Sequence, residues 1–257
     1  MTVKVSLTTA PGSKLIGLVQ GLAALEAQDL PPHALIGGVA VMTRLAQEHR
    51  VTLDLDQVLR DTVPSAVDLL VARDAATRVG THIEMAGGIR VDIIPTLDGP
   101  LDEGDLPDDD ADRLFLLAHE WALVSAEPVE LSVYVVGETH PAAVAIAPVA
   151  TAQALFVAKL QAAPRRPQAS LSKRGTDIDD ARRMLESVGS ATIARGIAQG
   201  PADLTALTAR LVERLMIDDA ERSVLWVKEA GIPGGNDVDA ADLRALGQRL
   251  HEELAGR

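Results

Sequence analysis

The chain has 257 residues, of which 47% are hydrophobic, 24% charged and only 2% aromatic, with a formal net charge of −13. That suffices for one large or two small globular domains packed on aliphatic side chains, and no apolar run reaches the roughly 18 residues of an ordinary membrane span. Zero cysteines exclude a disulfide framework, a thiolate zinc site and a cysteine nucleophile.

The start, MTVKVSLTTAPGSK, lacks the long apolar stretch and small-residue cleavage site of a secretory leader, so a cytoplasmic location is expected. Residues 14–28 place Leu15, Leu18, Val19, Leu22 and Leu25 at helical spacing, and Pro31-Pro32 ends that helix. ALI at 34–36 is a short strand that runs into Gly37-Gly38, and VAVMTRLAQ is the next helix. VTLDLDQVL at 51–59 alternates as a strand. Pro64 opens a helix reaching about Ala76. HIEMA and IRVDIIP flank Gly87-Gly88 as a hairpin. A helix over 112–126, strands at 129–136 and 143–147, and a helix opened by Pro148 follow. Beyond about residue 177 the pattern is helical throughout, in segments punctuated by Gly and Pro. The expected organisation is α+β: a domain over 1–147 with a mixed sheet, then a helical C-terminal domain over 148–257.

The charge is unevenly spread. Segment 98–112, DGPLDEGDLPDDDAD, holds eight acids and no base; setting it aside leaves −5 over the rest. Segment 163–174, APRRPQASLSKR, holds four bases (Arg165, Arg166, Lys173 and Arg174) and no acid. On composition the acidic segment is a solvated excursion, with contact to a partner or gating of the site as the sharper reading. The basic one is either a solvated linker or a hold on an RNA phosphate backbone.

Chemistry concentrates on three acids. Positions i and i+2 of a strand face the same way, so Asp54 and Asp56 project together. Asp92 interrupts the apolar strand IRVDIIP and needs a partner there. If the two strands are neighbours, three carboxylates converge and require positive compensation. Mg²⁺, or Mn²⁺ in its place, supplies it through oxygen ligands, and such ions clamp the oxygens of a phosphoryl displacement. Gly37-Gly38, between a strand and a helix, lets backbone N–H groups approach a phosphate. The bland alternatives are a plain turn for the glycines and a solvated strand edge for Asp54 and Asp56. No paired-histidine metal motif, nucleophile elbow, Walker loop or dinucleotide fingerprint is present.

In their order, IGG, RVTLDLD and RVDII resemble the nucleotidyltransferase superfamily, with its DNA polymerase β-like fold. Arg50, Thr52, Asp54 and Asp56 in the form R-x-T-x-D-h-D are similar to the AbiEii branch, which includes the MenT-type toxins. Lys159, followed by a basic stretch and then Asp177 and Asp180 in D-x-x-D spacing, extends the resemblance over about residues 33–186. The resemblance implies metal binding and catalysis by Asp54, Asp56 and Asp92. It implies nucleotide binding by Gly37, Gly38, Arg50, Thr52, Lys159, Asp177 and Asp180, and makes Arg165, Arg166, Lys173 and Arg174 candidates for RNA. It further implies transfer of NMP from an NTP to a macromolecular hydroxyl, foremost the tRNA 3′ acceptor end, by a toxin that has a cognate antitoxin. Gly38 stands where the family more often has Ser, and Thr176 where it often has Lys. Two other functions compete: nucleotidyl transfer to a small molecule of the aminoglycoside kind, which an acidic protein suits, and a non-catalytic regulatory or antitoxin-like role on the same fold.

Overall fold

The computed structural model describes residues 2–99, 101, 104, 106–167 and 170–256. The chain forms two compact units, one of Met1–Asp102 with Ala122–Thr151, the other of Glu103–Trp121 with Ala152–Arg257. The first is α+β with a mixed sheet and the second is helical, the fold class expected.

Eight strands build the sheet of the first unit: Val3–Thr9 (β1), His33–Ile36 (β2), Asp54–Leu59 (β3), Ala76–Val79 (β4), His82–Met85 (β5), Ile89–Pro95 (β6), Glu127–Val135 (β7) and Ala143–Val149 (β8). Their spatial order is β1-β7-β8-β2-β3-β6-β5-β4. The pairs β1/β7, β2/β8 and β3/β6 are parallel and the others antiparallel. Leu35, Leu55, Gln57, Val91 and Val149 share one sheet face, and all five are buried. Helix α1 (Lys14–Glu26) buries its Leu stripe and passes so close to β6 that Gly17 and Gly21 lie against Ile89, on that same face. The opposite face presents Ile36, Asp54, Asp56, Arg90 and Asp92. Helix α2 (Gly37–Leu45) leaves directly from β2, and α3 (Ala66–Ala72) follows β3.

The second unit contains the start of α4 (Asp110–Val124), then α5 (Ala152–Arg165), α6 (Leu171–Val188), α7 (Ser190–Ile197), α8 (Ala202–Val212), a π-helical turn (Glu213–Asp218), α9 (Ala220–Glu229) and α10 (Ala240–Ala255). Phe156, Leu160, Ile178, Met184, Leu204, Val227, Leu243 and Leu250 are buried in its core. Among the described residues no helix is long and apolar enough to cross a membrane.

Several sequence expectations are corrected. Residues 3–9 form a strand, because alternation of Val, Leu and Thr carries β1 onto the edge of the sheet beside β7. β3 starts at Asp54, not at Val51. The helix after Pro64 starts at Ala66, capped by the Ser65 hydroxyl, and ends at Ala72; Ala76–Val79 turns instead into the edge strand β4. Pro148 lies within β8, and α5 starts only at Ala152. The basic segment is largely helical: α5 reaches Arg165 and α6 starts at Leu171, with 168 and 169 outside the described residues. Residues 100, 102, 103 and 105 of the acidic segment also lie outside them. Its far end is ordinary helix start, with Asp109 accepting from the backbone N–H groups of Ala111 and Asp112.

Candidate functional site

Strand register creates the carboxylate cluster. In the parallel β3/β6 ladder, Asp56 stands directly opposite Asp92 and Asp54 opposite Arg90. Paired residues point to the same side of a sheet, and i, i+2 neighbours do too. Three acids and one arginine therefore share one patch, although the two strands' members lie 34 to 38 positions apart in the sequence.

The glycine turn is fitted to that patch. Ile36, the last residue of β2, is opposite Asp56 in the antiparallel ladder, so Gly37 follows at the edge of the acids. Gly37 has φ +74°, and a Cβ there would lie 1.9 Å from Asp56 Oδ2. The left-handed backbone and the close carboxylate both require glycine. At Gly38 a Cβ would lie 2.8 Å from Thr52 Oγ1 and 2.9 Å from Arg50 Nη2. Here the side chains of Arg50 and Thr52 occupy the space that any larger residue would need.

Side chains hold the acids in place. Thr52, itself buried, donates its hydroxyl to Asp54 Oδ1 at 3.3 Å. Arg90 grips Asp92 with a fork: Nε and Nη2 donate to Oδ1 at 3.0 and 2.9 Å, and Nη2 also donates to Oδ2 at 2.9 Å. The hydrogen bond to Asp92 holds the Arg90 guanidinium above the ordinary arginine range; burial opposes this, and the charges of Asp92, Asp54 and Asp56 reinforce it. Sequence reading missed Arg90. Its signal was available: two residues before Asp92 on a strand, it had to share that aspartate's face.

Among the described residues no group of three His, Cys, Asp or Glu is gathered to hold a metal ion; both oxygens of Asp92 accept from Arg90 instead. The residues nonetheless fit a hard divalent cation. Asp54 and Asp56 offer carboxylate oxygens on one face, Asp92 is in register across from Asp56, and glycine backbone borders them at the end where phosphates would have to approach.

Lys159, Asp177 and Asp180 meet one another inside the helical unit. Lys159 Nζ lies 3.1 Å from Asp177 Oδ1 and 3.0 Å from Asp180 Oδ2, and Arg166 Nε lies 2.9 Å from Asp177 Oδ2. The three side chains are buried, on the facing helices α5 and α6. Asp179, equally buried, accepts from Arg182 and Arg183 on its own helix. Of the other RNA candidates, Arg165 pairs with Asp112 and lies over Phe115, and Arg174 donates to the carbonyl of Arg166 and lies over Trp226. Lys173 is exposed.

No family model matches the chain, and no curated protein matches it. Solved structures that are similar to it include two of one protein. One is the antibiotic-resistance factor ANT(2″)-Ia in solution, at 16% identity over 70% of this chain and 87% of that one, with a TM-score of 0.39. The other is ANT(2″)-Ia in complex with adenylyl-2″-tobramycin, at 16% identity over 79% of this chain and 99% of that one, with a TM-score of 0.42.

Proposed function

We propose that this protein is a nucleotidyltransferase that moves NMP from an NTP to an acceptor hydroxyl. The observation that carries the reading is the in-register placement of Asp56 opposite Asp92, with the Cβ-free Gly37 packed against Asp56. Asp54 and Asp56, with Asp92, would hold Mg²⁺ or Mn²⁺, and such ions would neutralise the charge that develops on the transferring phosphate. Gly37 and Gly38 bring backbone donors to the triphosphate, and Arg50 sits beside them. Thr52 keeps Asp54 aimed at the cluster. The acceptor oxygen bonds to the α-phosphorus and the bond from that phosphorus to the α–β bridging oxygen breaks. Pyrophosphate leaves, and the hydroxyl proton passes to an Asp92 oxygen. Positioning and charge compensation supply the acceleration.

The acceptor we infer first is the tRNA 3′ end, with the chain acting as the toxin of a toxin–antitoxin pair in the cytoplasm. This extension rests on the resemblance of its motifs to the AbiEii/MenT-type branch. Lys173, which is exposed, would then contact RNA. A second reading has its own support. Arg165, Arg166 and Arg174 are engaged with neighbours in the chain, and the sheet face that carries the three aspartates adds Glu84, opposite Arg90, and Glu130, which is paired with Lys4, so acids still outnumber bases there. That balance suits a cationic small-molecule acceptor of the aminoglycoside kind.

Incubation with labelled NTPs, Mg²⁺ and either total tRNA or an aminoglycoside panel should label one acceptor class. Asp56→Ala should abolish the labelling by at least 100-fold, on the order expected for losing a metal ligand. Label transfer that survives this substitution removes the proposal.

A further inference from the structure

Arg90 raises a question about the cluster it belongs to. It is the cation that the register places among Asp54, Asp56 and Asp92, opposite Asp54 and two residues from Asp92. It donates to both oxygens of Asp92, the acid that a metal site would need to share with Asp56. The pair is half-buried, with side-chain exposures of 42% for Arg90 and 24% for Asp92, so the guanidinium already borders solvent. A fork of this kind is strong while both groups stay charged. It cannot persist if both Asp92 oxygens turn to a metal ion.

We propose that Arg90 is the resident counter-cation of the carboxylate cluster, a positioning residue that holds Asp92 until a divalent cation displaces it. This rests on the reading of Asp54, Asp56 and Asp92 as a metal site. In the metal-free protein Arg90 offsets the mutual repulsion of the three acids, which keeps β3 and β6 in register. When the cation binds, Asp92 turns from Arg90 to the metal, and the guanidinium becomes free to pair with the anionic substrate. Two consequences follow. The resident cation weakens the first metal-binding step, because a dication must enter beside a positive charge. It also makes the metal-free fold independent of added ions.

The test is Mn²⁺ binding to the full-length protein without nucleotide, read from the electron paramagnetic resonance of free Mn²⁺ and from thermal unfolding with Mn²⁺ or with EDTA. Wild type should bind Mn²⁺ and Asp56→Ala should not. Arg90→Met should melt lower than wild type in EDTA, regain that loss in Mn²⁺, and bind Mn²⁺ about tenfold more tightly at low salt. That factor is the order expected for removing a unit charge some 6 Å from a dication in a water-like dielectric. Arg90→Lys keeps the charge without the fork and should bind Mn²⁺ within about threefold of wild type. If wild type and Asp56→Ala both fail to bind Mn²⁺, the metal reading itself falls and takes this inference with it. If wild type binds but Arg90→Met binds no more tightly, the metal reading stands and Arg90 is not its counter-cation. An Arg90→Met protein that fails to fold even in Mn²⁺ also overturns the proposal, because Arg90 would then be needed whether or not a cation is bound.

Discussion

Replacing Lys159 by Met separates two roles for one lysine. The ammonium lies about 3 Å from both Asp177 and Asp180, and the exposed fractions of the three side chains are 10%, 2% and 0%. Methionine fills nearly the same volume, so packing changes little while two buried carboxylates lose a shared cation. Breaking a buried pair from one side costs about 3–5 kcal/mol, because a charge is left in a poorly solvating interior. For a unit of this size that corresponds to roughly 10–20 °C in the melting of the helical part. Differential scanning calorimetry on Lys159→Met, Asp180→Asn and the double variant supplies the measurement. The double variant should recover at least half of the loss, since neutralising Asp180 removes the carboxylate that the lysine had compensated. A lysine that served mainly to contact a triphosphate would behave otherwise: Lys159→Met would raise KM for NTP and leave the melting temperature within a degree or two. A single-variant cost below about 1 kcal/mol would refute the buried ion-cluster account.

Gly37→Ala should cost only about 1–2 kcal/mol in stability from the left-handed backbone, yet displace Asp56 by more than an ångström and reduce nucleotidyl transfer at least tenfold; unfolding in urea and initial rates measure the two effects. Acid should destabilise the helical unit through His119, whose ring donates to the Phe115 carbonyl and whose burial pushes its pKa down to about 4. Its folded value lies below the unfolded 6.5, so the contribution is complete above pH 6.5 and falls away toward pH 4, by about 3 kcal/mol in all; urea titrations of wild type and His119→Gln across that range should converge as the pH falls. His33 works with the opposite sign. Burial opposes its protonation, but the hydrogen bond and the charge of Glu26 prevail and raise its pKa, so the pair stabilises below pH 6.5 and the benefit is lost as pH rises through the folded value. Glu26→Gln should remove that dependence.

Much of this molecule was legible in one dimension. The spacing of Leu15, Leu18, Leu22 and Leu25 marked α1, and Gly87-Gly88 between alternating runs marked the β5/β6 hairpin, because side-chain periodicity and turn conformation are local properties. For the same reason Asp54 and Asp56 were known to share a face, and Asp92 was known to need a partner. β1 and β4 were harder to see. Each is a sheet edge: β1 carries a strand-like alternation but is placed only by its distant partner β7, and the four-residue β4 depends on its pairing with β5. That Asp92 lies opposite Asp56 was a conditional statement until the parallel β3/β6 register fixed it; a slip of one residue would have turned Asp92 to the α1 face. The tertiary structure alone decided which cations go where. Arg90 went to the acids of the sheet, while Lys159 and Arg166 went to Asp177 and Asp180 inside the helices. Sequence determines which charges exist and on which face of an element they ride. Which of them compensate one another depends on the few ångströms that only packing sets, since charge interactions fall off with distance and are screened wherever water remains.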